Sequence, residues 1–78
     1  MTIEINAEGL KCPEPIMLLH KAIRESKDGD LIKLIATDLS TERDVEKFCN
    51  FLGHKLIEKK KLPDSLYFLV QKKVRNII

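Results

Sequence analysis

Hydrophobic and polar residues follow two different periods along the chain, and each period predicts one kind of element. Ile3 and Ile5 alternate with polar neighbours, which is typical of a short strand. From about 15 to 27 the apolar residues recur at helical spacing, until the sequence K-D-G-D ends the pattern. Residues 31–36 are apolar on both faces except at Lys33, which suits a central strand covered by helices on one side. This half of the chain is therefore predicted as strand, helix, strand.

A second helix and a hairpin are predicted in the other half. Either Ser40 or Thr41 can cap the helix, and Thr41 with Asp44 approximates a capping box. An apolar stripe at i, i+3, i+4 and i+7 follows, made of Val45, Phe48, Cys49 and Leu52. Residues 54–58 and 66–71 then predict the two arms of a hairpin.

The order of these elements predicts the architecture. Strand–helix–strand units prefer right-handed crossovers, which place both helices on the same face of one sheet. We therefore expect a single domain over residues 1–78: an α/β (α+β) two-layer sandwich of order βαβαββ, with a mixed four-stranded sheet and two helices on one face. The other sheet face is then solvated, and Lys33, Lys55 and Lys59 are expected on it.

Composition excludes several classes of protein. The chain has 78 residues, 44% of them hydrophobic, with a net charge of +2, which fits one domain that is neither disordered nor membranous. Every apolar run is far shorter than a spanning helix, and the first residues lack the pattern of a secretory signal. We therefore expect a cytoplasmic protein. One Tyr, three Phe and no Trp argue against a base-stacking surface for single-stranded nucleic acid.

Basic charge is concentrated in residues 55–78, whose net charge is +5. Two interpretations stay open at this point. The lysines can form a solvated hairpin face, or they can form a basic surface for an acidic partner.

The most unusual segment reads G-L-K-C-P-E-P, at 9–15. Pro13 and Pro15 fix their own φ and disfavour helix in the residue before each, so Cys12 is expected to be extended and exposed, just ahead of a helix that begins near Pro15. The positive end of that helix and the neighbouring Lys11 predict a lowered pKa for the thiol. Such a thiol can attack a sulfur atom or carry one. The alternative is that the motif only starts a helix and the cysteine fills space. The residues expected to support the thiolate are Lys11, Pro13, Glu14 and Pro15.

The remaining residues with reactive or ligating side chains predict no second site. Cys49 lies on the apolar stripe of the second helix, so we expect a core thiol and no disulfide with Cys12. His20 and His54 do not complete a paired metal-ligand spacing with the cysteines, and the three glycines stand apart from one another. We therefore expect no metal and no cofactor, and Cys12 is the candidate reactive group.

Three side chains are candidates for a docking face. Met17 falls outside the apolar arc of the first helix, one turn past Cys12 and beside cationic residues that include Arg24. Phe51 similarly lies off the stripe of the second helix. We expect Met17, Arg24 and Phe51 to contact a protein partner; the alternative for each apolar side chain is packing at the edge of the core.

Two sequence blocks carry a family resemblance. The segment at 9–15, followed by the helix start I-M-L-L, resembles the C-P-x-P signature of the TusA/SirA-like sulfur carriers. A second block, T-E-R-D at 41–44 leading into F-C-N-F-L-G-H-K-L at 48–56, is similar to the TusA-type members in particular. The resemblance covers about 3–72 and implies the βαβαββ sandwich. It also implies that Cys12 is the carrier cysteine.

The resemblance implies a carrier and not an enzyme with a substrate pocket. Its members accept persulfide sulfur from a cysteine desulfurase of the IscS type, which here would load Cys12. They pass the sulfur to a relay complex of the TusBCD type, on the way to 2-thiouridine at the wobble position of certain tRNAs. For this chain we accordingly expect no cofactor, no direct contact with nucleic acid, no membrane and a monomer when free.

Three alternatives stay open. Related carriers serve selenium metabolism or sulfur oxidation, and the residues do not separate these pathways from tRNA thiolation. An RNA-binding module would use the basic hairpin and would keep salt-dependent tRNA binding after Cys12→Ser. A thiol redox-regulated interaction protein would form a stable sulfenate or mixed disulfide and would hand no sulfur on.

Overall fold

The strands and helices follow one another in the predicted order. The computed structural model describes residues 2–74. Its elements are β1 (Thr2–Ala7), α1 (Glu14–Glu25), β2 (Leu31–Ala36), α2 (Ser40–Leu52), β3 (Lys55–Lys61) and β4 (Leu66–Gln71). The prediction of an α/β two-layer sandwich of order βαβαββ is therefore confirmed.

The four strands form one mixed sheet in the order β1-β2-β4-β3. β1 is parallel to β2, as a strand–helix–strand unit requires, and β4 runs antiparallel to both β2 and β3. α1 packs on β1 and β2, α2 packs on β3 and β4, and the two helices contact each other on that one face. The side chains enclosed between sheet and helices form the core; the largest apolar ones that are fully buried are Phe68, Leu19, Ile32, Leu34, Val45 and Val70.

The sheet face opposite the helices carries two of the three lysines predicted there. Lys33 alternates with buried residues of β2, and its Nζ lies 3.8 Å from Glu4 Oε1. Lys55 stands opposite Gln71, which alternates with the buried positions of β4. Directly opposed residues of antiparallel strands share a face, so Lys55 also lies on the open side.

A β-bulge in β3 reverses the face predicted for the third lysine. The pairing with β4 shifts by one residue within Leu56–Glu58, so Lys59 stands opposite the buried Phe68 and points to the helix side. Its Nζ lies 2.9 Å from Glu46 Oε2 and 3.5 Å from Glu42 Oε2, both on α2. The prediction that Lys59 occupies the open face is wrong, because an inserted residue reverses every side chain that follows it.

Part of the basic charge of residues 55–78 is engaged within the chain. Lys59 pairs with acids of α2, and Lys72 Nζ donates a hydrogen bond to the Ser26 carbonyl at 2.8 Å. Arg75 lies outside the described residues. A basic surface for an acidic partner stays a prediction.

The start of α2 differs from the predicted capping box. Asp38, in the loop before the helix, accepts hydrogen bonds on Oδ1 from the backbone N–H and the hydroxyl of Ser40, at 2.9 and 2.8 Å. The carbonyl of Asp38 also accepts the N–H of Thr41 at 3.0 Å. The Thr41 hydroxyl is buried and has no hydrogen-bond partner among residues 2–74. The capping box of Thr41 and Asp44 is therefore wrong, since Asp38 takes the capping role.

Candidate functional site

Cys12 lies at the edge of the sheet where β1 and β2 end. Because these strands are parallel neighbours, the loops that follow them lie side by side. The Gly9 N–H donates to Thr37 Oγ1 and the Cys12 N–H donates to Asp38 Oδ2, both at 2.8 Å. The loop after β2 therefore holds the backbone of the segment that carries the thiol.

The two prolines place the cysteine directly ahead of α1. Pro13 occupies the N-cap position and is joined to Cys12 by a cis peptide bond. Pro15 lies in the first turn, where a missing N–H removes no helical hydrogen bond, and its ring is buried. Cys12 itself is exposed. The prediction of an exposed cysteine just before the first helix is confirmed.

An acidic side chain from α2 faces the thiol. Cys12 Sγ donates a hydrogen bond to Asp44 Oδ2 at 3.1 Å. This hydrogen bond is the main reason that the pKa of Cys12 is raised; partial desolvation and the charges of Asp44 and Asp38 act in the same direction, and a hydrogen bond with Ser40 opposes them. The expectation of a lowered thiol pKa is therefore wrong.

The N-terminus of α1 offers the sulfur fewer donors than the sequence suggests. Pro13 and Pro15 have no backbone N–H. The N–H of Glu14, between them, donates to the Lys11 carbonyl at 2.9 Å. The rings that fix the cysteine thus also remove donors that usually stabilise a thiolate at a helix N-terminus.

The charge of Lys11 acts on a neighbouring carboxylate. Asp38 has a lowered pKa because its oxygens accept hydrogen bonds from Cys12 and Ser40, and Lys11 lowers it further. The polar environment of the thiol therefore comes from the loop after β2 and from α2. It does not come from the residues next to Cys12 in the sequence, on which the predicted support of the thiolate rested.

Cys12 opens onto a shallow groove between α1 and α2, with a volume of about 380 Å³. Its lining is mostly apolar and consists of Cys12, Pro13, Ile16, Asp44, Lys47, Phe48 and Phe51. Phe51 is 88% exposed, so a large apolar ring stands in solvent in the groove onto which the sulfur opens. The structure thus brings one of the three predicted docking residues into the same groove as the thiol, and its role in docking stays a prediction.

The other two predicted docking residues lie on α1 and do not line this groove. Met17 is 60% exposed, and Arg24 is exposed in the last turn of the helix. A partner that covers the groove and extends along α1 would reach Met17 before Arg24. Both stay predictions.

Sequence reasoning missed the three polar residues that surround the thiol, which are Asp38, Ser40 and Asp44. A usable signal existed, because the predicted β1 and β2 are parallel and adjacent. The residues that follow β2 must then lie beside the residues that follow β1. Because Asp38 comes two residues after β2, its position near Cys12 is predictable from the sequence in this way. Whether Asp44 faces Cys12 depends on how α1 packs against α2.

The second cysteine is buried in the core. Cys49 lies on the inner face of α2, and burial raises the pKa of its thiol to about 11. Both cysteines are free thiols, as predicted. Within residues 2–74 no group of three or more His, Cys, Asp or Glu is arranged to hold a metal ion, and no helix is long and apolar enough to cross a membrane.

Comparison with known proteins identifies the family. The family described as "Sulfurtransferase TusA" matches residues 3–72. A sulfur carrier protein TusA of Pseudomonas putida is 48% identical over 69 residues, which cover 88% of this chain and 86% of the relative. Proteins of the same name from Pseudomonas paraeruginosa and Pseudomonas aeruginosa are also 48% identical over 69 residues, covering 88% of this chain and 87% of each relative. The family match over residues 3–72 and the identity to these relatives place this chain in the TusA family.

Proposed function

We propose that this chain is a sulfur carrier that binds sulfur covalently on Cys12. In this proposal an IscS-type cysteine desulfurase is the donor and a TusBCD-type relay complex is the acceptor, with 2-thiouridine at the tRNA wobble position as the end product. The observation that carries the proposal is the exposed Cys12 thiol beside an open apolar groove, in a chain whose relatives are named sulfur carriers. We further propose that the chain acts in the cytoplasm, as a monomer when free.

The transfer is a thiol–persulfide exchange. The thiolate of Cys12 attacks the outer sulfur of the donor's persulfide, a bond forms between Cys12 Sγ and that sulfur, and the bond between the donor's two sulfurs breaks. The donor cysteine leaves with the electron pair as a thiolate, and Cys12 becomes Cys12–S–SH. A cysteine of the acceptor then attacks the outer sulfur of this persulfide in the same way, which releases Cys12 as a thiolate. No external oxidant or reductant is consumed in either step.

The position of Cys12 suits two successive partners. A carrier must let two different proteins reach the same atom, and an exposed sulfur that opens onto a groove permits this. Phe51 supplies an apolar anchor in the groove that Cys12 lines, and Met17 and Arg24 extend the proposed contact along α1. Because donor and acceptor would cover the same sulfur, we expect their binding to be mutually exclusive.

The test is to locate the transferred sulfur. The chain is incubated with an IscS-type desulfurase and cysteine, digested without reductant, and analysed by mass spectrometry. We expect one added sulfur on the peptide that contains Cys12, none after Cys12→Ser, and normal loading after Cys49→Ala. Sulfur found on Cys49, or loading that persists in Cys12→Ser, would overturn the assignment.

The pathway requires a separate measurement. In a strain that lacks this carrier, 2-thiouridine in tRNA is quantified after complementation with the wild-type chain or with Cys12→Ser. We expect only the wild-type chain to restore the modification. If Cys12 is loaded in vitro but neither chain changes 2-thiouridine, the carrier serves another sulfur or selenium pathway.

A further inference from the structure

The hydrogen bond that joins Cys12, just ahead of α1, to Asp44 of α2 bears directly on how this sulfur reacts. Asp44 lies in the second turn of α2 and is half-buried, and its Oδ2 is 3.1 Å from Cys12 Sγ. An ionised carboxylate can only accept hydrogen bonds. The contact therefore fixes the proton on the sulfur, and Cys12 is present as a neutral thiol that donates to Asp44.

The charged groups around the sulfur favour the same state. Asp44 approaches from α2 and Asp38 from the loop after β2, and both negative charges disfavour a thiolate. The Ser40 hydroxyl opposes them but carries no charge. On the positive side, Lys47 lines the groove, and the charge of Lys11 acts on Asp38. The hydrogen bond to Asp44 dominates this balance and raises the pKa of the thiol.

Attack on a persulfide needs the thiolate, because the neutral thiol is a poor nucleophile. If the proton leaves Cys12 while Asp44 is ionised, the hydrogen bond is lost and two negative charges face each other at about 3 Å. The free chain therefore resists ionisation at the atom that has to react. A cation placed against the Asp44 carboxylate would remove this resistance.

We propose that Asp44 controls the reactivity of Cys12, holding it as a neutral, hydrogen-bonded thiol in the free chain until a cationic side chain of the sulfur donor pairs with the carboxylate. This inference rests on the proposed carrier function and adds a condition to it. Sulfur transfer is then confined to the complex, and the free carrier reacts slowly with small electrophiles.

The first test uses the free chain and iodoacetamide, with the modified cysteine identified by mass spectrometry. At pH 7, Asp44→Asn and Asp44→Ala should alkylate at Cys12 roughly three- to tenfold faster than the wild-type chain, because a like charge has been removed. At a pH high enough to ionise the thiol in each protein, the rates should converge. Glu46→Gln is the matched control: it removes the same charge from the same helix, next to Lys59 and away from Cys12, and should leave the rate unchanged.

The second test adds the desulfurase. At saturating desulfurase the maximal rate of sulfur loading should be the same within about twofold for Asp44→Asn and wild type, whereas Asp44→Asn should need more desulfurase for half-maximal loading because an ion pair has been lost. If Asp44→Asn still loads sulfur roughly three- to tenfold faster than the wild-type chain at saturating desulfurase, the donor does not neutralise Asp44.

The direction in which the Asp44 substitutions change the alkylation rate separates this proposal from its main rival. If Asp44 instead removed the proton from Cys12 as a general base, both Asp44 variants would alkylate more slowly than wild type, and the proposal would be overturned. Equal rates at pH 7 would overturn it as well. The alkylation result does not depend on the carrier function, so a wild-type chain that accepts no sulfur would refute the proposed function and leave the role of Asp44 to be decided separately.

Discussion

The buried hydroxyl of Thr41 offers a sharp test of the packing between α2 and the sheet. Thr41 is 1% exposed, and its Oγ1 has no hydrogen-bond partner among the described residues. A buried polar atom without a partner has lost its hydrogen bonds to water and gained none in return. We predict that Thr41→Val, which replaces the hydroxyl with a methyl group of nearly the same size, stabilises the protein.

The magnitude follows from the environment of the hydroxyl. Leaving a neutral donor or acceptor buried and unsatisfied costs about 1–3 kcal/mol. Valine and threonine have similar helix propensities, so the backbone contribution nearly cancels. The extra methyl has to fit the existing space, which reduces the gain. We therefore expect the free energy of unfolding to increase by about 1 kcal/mol.

Thermal unfolding and urea unfolding both measure this change in the free energy of unfolding. For a domain of this size an increase of about 1 kcal/mol raises the melting temperature by about 4–8 °C and shifts the urea midpoint by about 0.5–1 M. The matched control is Thr41→Ser, which keeps the hydroxyl, loses a buried methyl and should destabilise the protein by about 1 kcal/mol. A less stable Thr41→Val would refute the reasoning, because it would mean that the hydroxyl is satisfied in solution.

Two further predictions concern pH and docking. Burial, followed by the charges of Lys73 and Lys72, lowers the pKa of His54 below 6.5, and its Nδ1 accepts the Lys73 N–H at 3.1 Å. The unfolded chain therefore binds a proton first as the pH falls, and the free energy of unfolding should decrease as the pH falls through 6.5 toward the folded pKa; a wild-type slope no steeper than that of His54→Asn would contradict this. Phe51→Ala should leave the melting temperature unchanged because the ring is 88% exposed, and it should raise the desulfurase concentration for half-maximal loading roughly tenfold. Leu39→Ala is the control, since this side chain is 71% exposed but does not line the groove; equal effects of the two substitutions would exclude Phe51 as an anchor.

The fold was predictable because its signals are local. The alternation at Ile3 and Ile5 and the stripe of α2 each define an element and its buried face without reference to any other part of the chain. The apolar residues at 31–36 define a third element, whose open face is marked by Lys33 alone. The chirality of strand–helix–strand units then leaves few arrangements of the sheet. The exposure of Cys12 and the burial of Cys49 followed from the same kind of pattern, since only Cys49 lies on an apolar stripe.

The bulge in β3 could not be predicted, because the second half of this strand has no alternation of apolar and polar residues. Residues 58–61 read E-K-K-K, so neither face is marked as the inner one, and a shift of one residue leaves the sequence pattern equally acceptable. The contacts that accompany the shifted register come from another element. Lys59 pairs with Glu42 and Glu46 of α2, and simple alternation would turn it away from both.

The ionisation of Cys12 likewise depends on a residue that is distant in the sequence. The C-P-x-P segment positions the sulfur, but its prolines remove N–H donors, and the group that determines its protonation is Asp44, 32 residues away on another helix. Two chains with identical C-P-x-P segments can therefore carry thiols of different reactivity if they differ at the position of Asp44. The segment predicts where sulfur is carried, whereas the packing of α2 against α1 determines when the carrier can react.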